Sequence, residues 1–376
     1  MRAGDRHAPA CSERAAEVRG SAGFANAISV PCIRLVPDQK KESGLTRIAW
    51  IDILKGIGIL SVVAAHLYGN SFAVYCNWFH IPLFFYISGF LYGGDRPVPE
   101  YLRRKAAHLL VPYFSFLLIL SLPDFARLLE QSASASGPAL LRDAGAVLAK
   151  KLWGGRDLYY WFDAFWFPPC LFLTQQLFHA IHHICKEEKR TIIIATAGCY
   201  LLAMTAPWNP VLATSLPWSA QCVPMGFVFF ALGYLLKDRQ WDNRIVAGFS
   251  CVLAIAAIIL DRWGIFHHAF NMKWSLYGIP VINLLIAMGM IGVVQRSSKE
   301  LARFSPGVLL LSPLGKASLV IMLLHQAVLY SAMDRWRVIG HTSIFAFVVV
   351  FCYVVYRISR GWAVTRVAFL GENARK

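Results

Sequence analysis

The sequence has few charged residues, and acidic ones are the scarcer kind. Charged residues make up 15% of the 376, with 21 Asp and Glu against 37 Lys and Arg, whereas about a quarter of a typical soluble domain is charged. The sequence also lacks a CxxC pair, a GxSxG elbow, a Walker loop and a GxGxxG turn. These absences argue against a disulfide framework or cysteine metal site, and against the hydrolase, nucleotide-driven pump and dinucleotide-binding classes.

Apolar residues are abundant instead. They make up 57% of the chain, and the mean hydropathy is +0.50. Repeated apolar runs reach the length of about 17 residues or more that a helix needs to cross a bilayer. The sequence therefore predicts an all-α, polytopic integral membrane protein. The candidate spans are 48–68, 78–94, 105–122, 161–183, 191–206, 217–236, 244–260, 275–295, 308–331 and 342–359.

The basic residues predict the orientation of these ten spans. Of the 37 Lys and Arg residues, 27 fall in or beside the segments on the side of the two termini, and 9 on the opposite side. Because cytoplasmic segments are enriched in Lys and Arg, both termini are predicted to be cytoplasmic. The net charge of +16 does not indicate nucleic acid, since no basic stripe on a soluble domain and no nucleic-acid module is recognisable.

The chain outside the spans divides into simple segments. Residues 1–46 are polar and aperiodic, which predicts a disordered cytoplasmic tail, unless the start codon is misassigned. Residues 47–360 form the predicted transmembrane domain, and 361–376 a short cytoplasmic tail. In the long outer segment 123–160, a flexible stretch precedes LLRDAGAVLAKKLW, which is typical of an amphipathic helix on the membrane surface.

Three ionisable residues interrupt the first span, IDILKGIGILSVVAAH. Asp52, Lys55 and His66 recur at helical spacing and share one face, with Lys55 and His66 about 16 Å apart along the axis. Ionisable groups at membrane depth usually face an internal cavity and mark function. The alternatives are that Asp52 and Lys55 lie at the inner interface, with Lys55 snorkelling, and that His66 is an interfacial histidine at the other end.

Polar residues in two further spans belong to the same prediction. NWFHIPLFFYISGF begins about eleven residues after His66, so the chain turns back and brings His80 to a similar depth. Two such histidines suit a base and its orienting partner, and the alternative for His80 is packing at a helix start. A cavity wall formed by Asn77, Ser88, His325 and Gln326 completes the predicted site. HAIHH at 179–183 lacks a nearby carboxylate, so no metal site is expected.

Several segments of the sequence, taken together, resemble those of a known protein family. IDILKGIGILSVVAAH and WFHIPLFFYISGFLYGG, followed by YLRRKAAHLLVPY, WFDAFWFPPCLFL, PMGFVFFALGYLLKD and LGKASLVIMLLHQ, resemble the acyltransferase-3 family of integral membrane O-acyltransferases, with the fucose 4-O-acetylase-like branch the most similar. The resemblance covers roughly residues 47–360. Each motif alone is weakly specific, whereas their order and spacing together are strongly so.

The resemblance implies an activity. The family carries a basic residue, ten intervening residues and a catalytic histidine, which Lys55 and His66 match, although many relatives have Arg at the first position. It implies transfer of an acyl group, most simply acetyl, from acetyl-CoA as co-substrate to a hydroxyl of a surface glycan or its lipid-linked precursor. His66 and His80 are then the catalytic pair, with Lys55 and Asp52 as a polar path. The implied setting is a bacterial inner membrane.

The first inner loop carries Arg103, Arg104 and Lys105, where the family has an arginine-rich motif associated with acyl-CoA. Guanidinium and ammonium groups suit the phosphates of the coenzyme, but ordinary topology anchors have the same composition. A covalent acyl-histidine step is an alternative to direct transfer. A transporter with a charged first helix is the alternative function, and two similar halves, which many transporters have, are not seen in this sequence.

Overall fold

A computed structural model describes residues 39–131, 137–185, 188–239, 243–336 and 340–372. The chain from Ser43 onward forms one compact unit, and the elements that build the candidate site belong to it. The predicted all-α class is confirmed, since helices dominate and the described strands are limited to a hairpin of two residues on each side.

The α-helices run in the following order: α1 Gln39–Tyr68, α2 Asn70–Asn77, α3 His80–Phe90, α4 Val98–Gln131, α5 Gly137–Trp153, α6 Phe167–Ile184, α7 Lys189–Met204, α8 Pro210–Ala213, α9 Val223–Leu236, α10 Arg244–Arg262, α11 Ile282–Leu301, α12 Ser305–Lys316, α13 Ser318–Arg335, α14 His341–Ser359 and α15 Ala363–Thr365.

Shorter elements join the helices where the site lies. They comprise 3₁₀ helices at Gly155–Asp157, Tyr160–Trp166, Pro217–Cys222 and Met272–Trp274, a π-helix at Arg366–Leu370, and strands β1 Phe270–Asn271 and β2 Leu276–Tyr277. The strands pair antiparallel, with Phe270 opposite Tyr277. The 3₁₀ helices Tyr160–Trp166 and Pro217–Cys222 come directly before α6 and α9. Each of these two α-helices therefore begins later than the apolar segment that contains it.

Among the described residues, five helices are long and apolar enough to cross a membrane. They are Ala49–Tyr68, Val98–Glu130, Pro217–Leu236, Arg244–Arg262 and His341–Ser359, and the bent pair α12–α13, with a 75° angle, could be a sixth. Each predicted span coincides at least in part with helix, but several helices are short or polar at one end. For example, α3 has only 11 residues and α7 has 16. The chain is thus a multi-pass helical membrane protein.

Glycines allow the central helices to touch. A Cβ added to Gly89 of α3 would overlap the Phe230 carbonyl of α9, and one added to Gly233 of α9 would overlap the Tyr86 carbonyl of α3. Small residues of this kind let helix backbones approach closely in membranes. Gly56 of α1 likewise lies against the backbone of α12 at Leu311. The polypeptide that carries the site is therefore held by backbone-to-backbone packing.

The two ends of the chain are only partly within the described residues. The predicted tail 1–46 lies largely outside the described residues, although α1 begins at Gln39, within that range. At the other end, the π-helix Arg366–Leu370 packs on α4, so part of the predicted tail is ordered against the bundle. The helix predicted for LLRDAGAVLAKKLW is present as α5, and its place on the membrane surface stays a prediction. Helix α4 runs beyond its predicted end to Gln131, with two prolines inside it.

Candidate active site

A small cavity lies at one end of the bundle, where α1 ends and α3 begins. Its volume is ≈ 90 Å³, and His66, Asn77 and His80 line it together with residues of α13 and of the β1–β2 hairpin. His66 is partly buried, while His80 is only 4% exposed. The two predicted histidines and Asn77 therefore meet in one cavity.

The turn between α1 and α3 explains why they meet. The short helix α2 follows Gly69, whose φ of 72° lies in the region that glycine adopts without strain. The chain then reverses at Trp78, which is fully buried and donates its indole N–H to the carbonyl of His268 at 2.9 Å. Because His80 is the first residue of α3, this anchored turn sets its depth opposite His66.

Gln326 of α13 holds His66 from the side. Its Oε1 accepts a hydrogen bond from the backbone N–H of Ala164 at 3.0 Å, which fixes the orientation of the amide. The amide nitrogen then lies 3.1 Å from Nδ1 and 3.2 Å from Nε2 of His66, and 3.3 Å from Oδ2 of Asp163. Because this nitrogen has two hydrogens, it can donate to one ring nitrogen of His66 and to Asp163 at once.

His325 lies beside this pair and is completely buried. Its ring centroid is 5.2 Å from that of His66. Its Nδ1 lies 2.8 Å and 3.0 Å from the carbonyl oxygens of Ile321 and Met322, which assigns the proton to Nδ1. A neutral imidazole held in this way packs against His66 and supports its position in the bundle.

An ion pair between a buried lysine and a partly exposed aspartate forms the far side of the network. The Lys273 ammonium donates to the Asp163 carboxylate and, at 3.1 Å, to the carbonyl of Leu158. Lys273 is only 5% exposed. The chain of contacts His66–Gln326–Asp163–Lys273 thus joins α1, α13, a 3₁₀ helix and the hairpin. A buried charge without its partner is costly, so the Lys273 ammonium requires the Asp163 carboxylate.

The β1–β2 hairpin closes the cavity. Asn271, Lys273 and Trp274 line it, and the Asn271 side chain accepts the backbone N–H of Lys273 at 3.1 Å. The thiol of Cys222 lies 3.0 Å from the Met272 carbonyl and fixes the hairpin to the base of α9. Burial lowers the pKa of His268, just before β1, to about 4, so that residue is a neutral packing group at ordinary pH.

The other predicted residues of α1 and α3 lie away from the cavity. Lys55 and Asp52 are 3.9 Å apart, as the spacing predicted, and Lys316 of α12 approaches Asp52 at the same distance. They line a separate cavity of ≈ 420 Å³, which also has His108 in its wall. Ser88 is eight residues beyond His80, about 12 Å along α3, and does not line the cavity of His66.

The basic cluster lies on the first turns of α4. Arg103 and Arg104 are exposed, while Lys105 is half-buried with its ammonium 5.4 Å from the centroid of the Tyr101 ring. Arg104 and Lys105 line an open cavity of ≈ 440 Å³ next to the Gly93–Gly94 turn. The cluster is therefore available to an anionic ligand, at a distance from His66.

The histidines of HAIHH point to different partners. Nδ1 of His179 lies 2.7 Å from the Tyr92 hydroxyl. Nε2 of His183 lies 2.9 Å from the Arg96 carbonyl, and Nε2 of His182 is 3.1 Å from the Tyr234 hydroxyl. One ring nitrogen of each histidine is thus engaged in a hydrogen bond, and the three partners are separate groups.

The sequence reasoning missed Asp163 and Lys273. Asp163 lies in WFDAFWF, one of the segments that carry the resemblance, and an acidic residue inside so apolar a stretch is a usable signal. Lys273 lies 110 residues further along the chain, between α10 and α11, where a lone basic residue has no distinguishing pattern. The pair is recognisable only once the chain is folded.

Helical spans and a buried histidine network define a membrane protein with an enzyme-like site. The sequence profile of the acyltransferase-3 family, an acyltransferase domain, matches residues 48–357. The chain therefore belongs to this family, and its class is that of a membrane acyltransferase. No curated protein and no solved structure matches it significantly.

Proposed function

We propose that the protein transfers an acetyl group from acetyl-CoA to a hydroxyl of a surface or exported glycan, or of its lipid-linked precursor. The observation that carries the proposal is the placement of His66 in a cavity of ≈ 90 Å³, held by Gln326 and facing His80. Such a volume suits a short acyl group and a single hydroxyl. Membership of an acyltransferase family supplies the reaction class.

In the proposed reaction, a ring nitrogen of His66 takes the proton of the acceptor hydroxyl. The oxygen attacks the thioester carbonyl carbon, the carbon–sulfur bond breaks, and the coenzyme leaves as a thiol after taking the proton from the imidazolium. The Asp163 carboxylate, one amide group away from His66, stabilises the positive charge while it exists. His80 lines the same cavity, and its imidazole is proposed to orient the acceptor.

The donor is proposed to come from the other end of α1. Lys55 is eleven residues from His66, about 16 Å along one helix, and lines a cavity with two further basic residues, Lys316 and Arg360. The basic cluster on the first turns of α4 is proposed to supply charge for the coenzyme phosphates. It comprises Arg103, Arg104 and Lys105. Asp52 pairs with Lys55 and completes this polar path.

The proposed positions of donor and acceptor correspond to a particular membrane topology. Ten membrane crossings, with both termini in the cytoplasm of a bacterium, would put Lys55 near the inner face of the inner membrane and His66 near the outer face. Donor and acceptor would then reach α1 from opposite sides. The distribution of basic residues supports this orientation.

The test replaces His66 by Gln and by Ala. Loss of a general base typically lowers the rate by about 10²–10⁴-fold, and Gln keeps hydrogen-bonding capacity without a titratable base, so both variants should fail. The measurement is acetylated glycan by mass spectrometry, with the amount of folded protein followed by immunoblot and size-exclusion chromatography.

A matched control is His267→Gln, because the side chain of His267 is 79% exposed in the loop before the hairpin. It should leave acetylation unchanged. Near-normal acetylation by the folded His66→Gln protein would remove His66 from the role of base.

A further inference from the structure

An open groove lies next to the cavity of His66. Its volume is ≈ 460 Å³, and its walls come from the end of α4, the end of α5 and the segment 157–162. Three consecutive aromatic residues, Tyr159, Tyr160 and Trp161, line it together with carboxylates and basic side chains. We call it the aromatic groove.

Two of these three aromatic side chains are exposed. Tyr159 is 52% exposed and Tyr160 is 51% exposed. Tyr160 has a φ of 61°, a conformation that non-glycine residues rarely adopt, and it stacks on Tyr330 with 4.4 Å between ring centroids. Its hydroxyl donates to Asp334 at 3.0 Å. Such a backbone conformation persists only where surrounding contacts enforce it, and these outliers cluster at functional sites.

The groove and the reaction cavity share a wall. Tyr159 stacks against Trp274 of the hairpin, with 6.3 Å between centroids, and Trp274 itself lines the cavity. The carbonyl of Leu158, a residue of the groove, accepts from Lys273 at 3.1 Å. A molecule with one end at His66 therefore has the groove as its nearest extension along this wall.

The polar lining distinguishes the groove from a lipid-facing surface. Asp124 forms an ion pair with Lys151 at 2.7 Å, and the Lys151 ammonium lies 3.4 Å from the centroid of Phe162. Asp157 and Lys150 add a further acceptor and donor. A hydrocarbon chain cannot form hydrogen bonds with these groups. A saccharide, in contrast, presents apolar C–H faces to aromatic rings and hydroxyls to carboxylates and ammonium groups.

From these contacts we infer that the aromatic groove binds the saccharide units of the acceptor that adjoin the unit being acylated. The inference rests on the proposed function, since it assumes a glycan acceptor at His66. Binding energy from such remote units can be used to orient the reacting hydroxyl, so acceptors that reach the groove should react faster as well as bind more tightly. The acceptor class is thus a chain of several sugars rather than a monosaccharide.

The test uses the full chain in lipid nanodiscs and an array of bacterial-type glycans one to eight sugars long. The same tetrasaccharides are also offered on a lipid anchor, so that free and lipid-linked presentation are compared. The native protein should bind longer glycans more tightly than monosaccharides in at least one presentation. Tyr159→Ala and Tyr160→Ala should each lower that affinity roughly tenfold, about the value of one aromatic contact, while Tyr159→Phe should retain it.

The control variant is Trp208→Ala, which removes an aromatic side chain that is 82% exposed in the turn after α7. It should leave glycan binding unchanged. If the native protein binds no glycan of the array, or if the tyrosine variants bind as the native protein does while remaining folded, the inference is overturned.

A transfer assay separates this inference from the proposed function. Glycan binding that depends on Tyr159, without any acetyl transfer that depends on His66, supports the groove and refutes the proposed reaction. Transfer that depends on His66, with no effect of the tyrosine variants on the preference for longer acceptors, supports the reaction and refutes the groove.

Discussion

Replacement of Gln326 by Leu tests whether the position of His66 controls the rate. Leu is close to Gln in volume, so the change removes hydrogen bonds while α13 keeps most of its packing. The bonds lost are those to the backbone N–H of Ala164 at 3.0 Å, to Asp163 at 3.3 Å and to a ring nitrogen of His66. Lys273 still neutralises Asp163, so no unpaired charge is created.

The substitution should have two effects, one on the stability of the protein and one on the reaction rate. The buried N–H of Ala164 loses its acceptor, which should lower the free energy of unfolding by about 1–3 kcal/mol. His66 also loses the donor that fixes its ring, and a misplacement of about 1 Å in a reacting group can cost about 10²-fold in rate. We therefore expect kcat to fall about 10–100-fold, with little change in KM for acetyl-CoA, whose proposed contacts are elsewhere.

The assay combines steady-state acetyl transfer with thermal unfolding in detergent. Gln295→Leu on α11 is a matched control, because Gln295 is 1% exposed and does not line the cavity of His66. It should affect stability without the selective loss of kcat. If Gln326→Leu and Gln295→Leu lower kcat equally, or if Gln326→Leu leaves kcat unchanged, Gln326 does not position the base.

Two further predictions concern the fold and its orientation. Gly233→Ala should destabilise the protein by about 1–3 kcal/mol, because the added methyl group meets the Tyr86 carbonyl, while Gly198→Ala, with open space around it, should not; equal melting temperatures would contradict the packing described. In a cysteine-free background, an impermeant maleimide applied to intact cells should label Gly145→Cys on α5 and spare Asp238→Cys after α9; the reverse pattern would invert the proposed orientation.

Local spacing was enough to predict the meeting of His66 and His80. Both lie in apolar helices separated by a short turn, so the return of the chain fixes their depth with little freedom. The ion pair between Asp52 and Lys55 was predictable for a similar reason, since a separation of three positions on a helix brings two side chains together.

Long-range contacts could not be predicted in this way. Gln326 reaches Asp163 across 163 positions of sequence, and Lys273 reaches Asp163 across 110. Neither contact follows from a helical or strand period, because it depends on how α13 and the hairpin pack on the rest of the bundle. Of the two charged residues, only Asp163, an acidic residue inside an apolar stretch, offers a local signal in the sequence.

The helix lengths show a second limit of prediction from the sequence. Hydropathy predicts where a chain is apolar, but the apolar segment 161–183 begins as a 3₁₀ helix and becomes α6 only at Phe167. Likewise, 308–331 divides into α12 and α13 with a 75° bend between them. Pro168 and Pro169 stand in the first turn of α6, and Gly315 packs against the backbone of Asp52 beside the bend. A window of mean hydropathy averages over such local features.

The β1–β2 hairpin is a small element that lines the cavity of His66 without belonging to the helices. Its strands are only two residues long, and it is secured by Lys273 on Asp163 and by the contact of Cys222 with Met272. Trp274, which is 42% exposed, lines the cavity of His66 from this small element. Under the proposed function, mutations at that position would alter which acceptor is used while the helices, and with them His66, stay unchanged, so new specificities would be accessible by single steps in evolution.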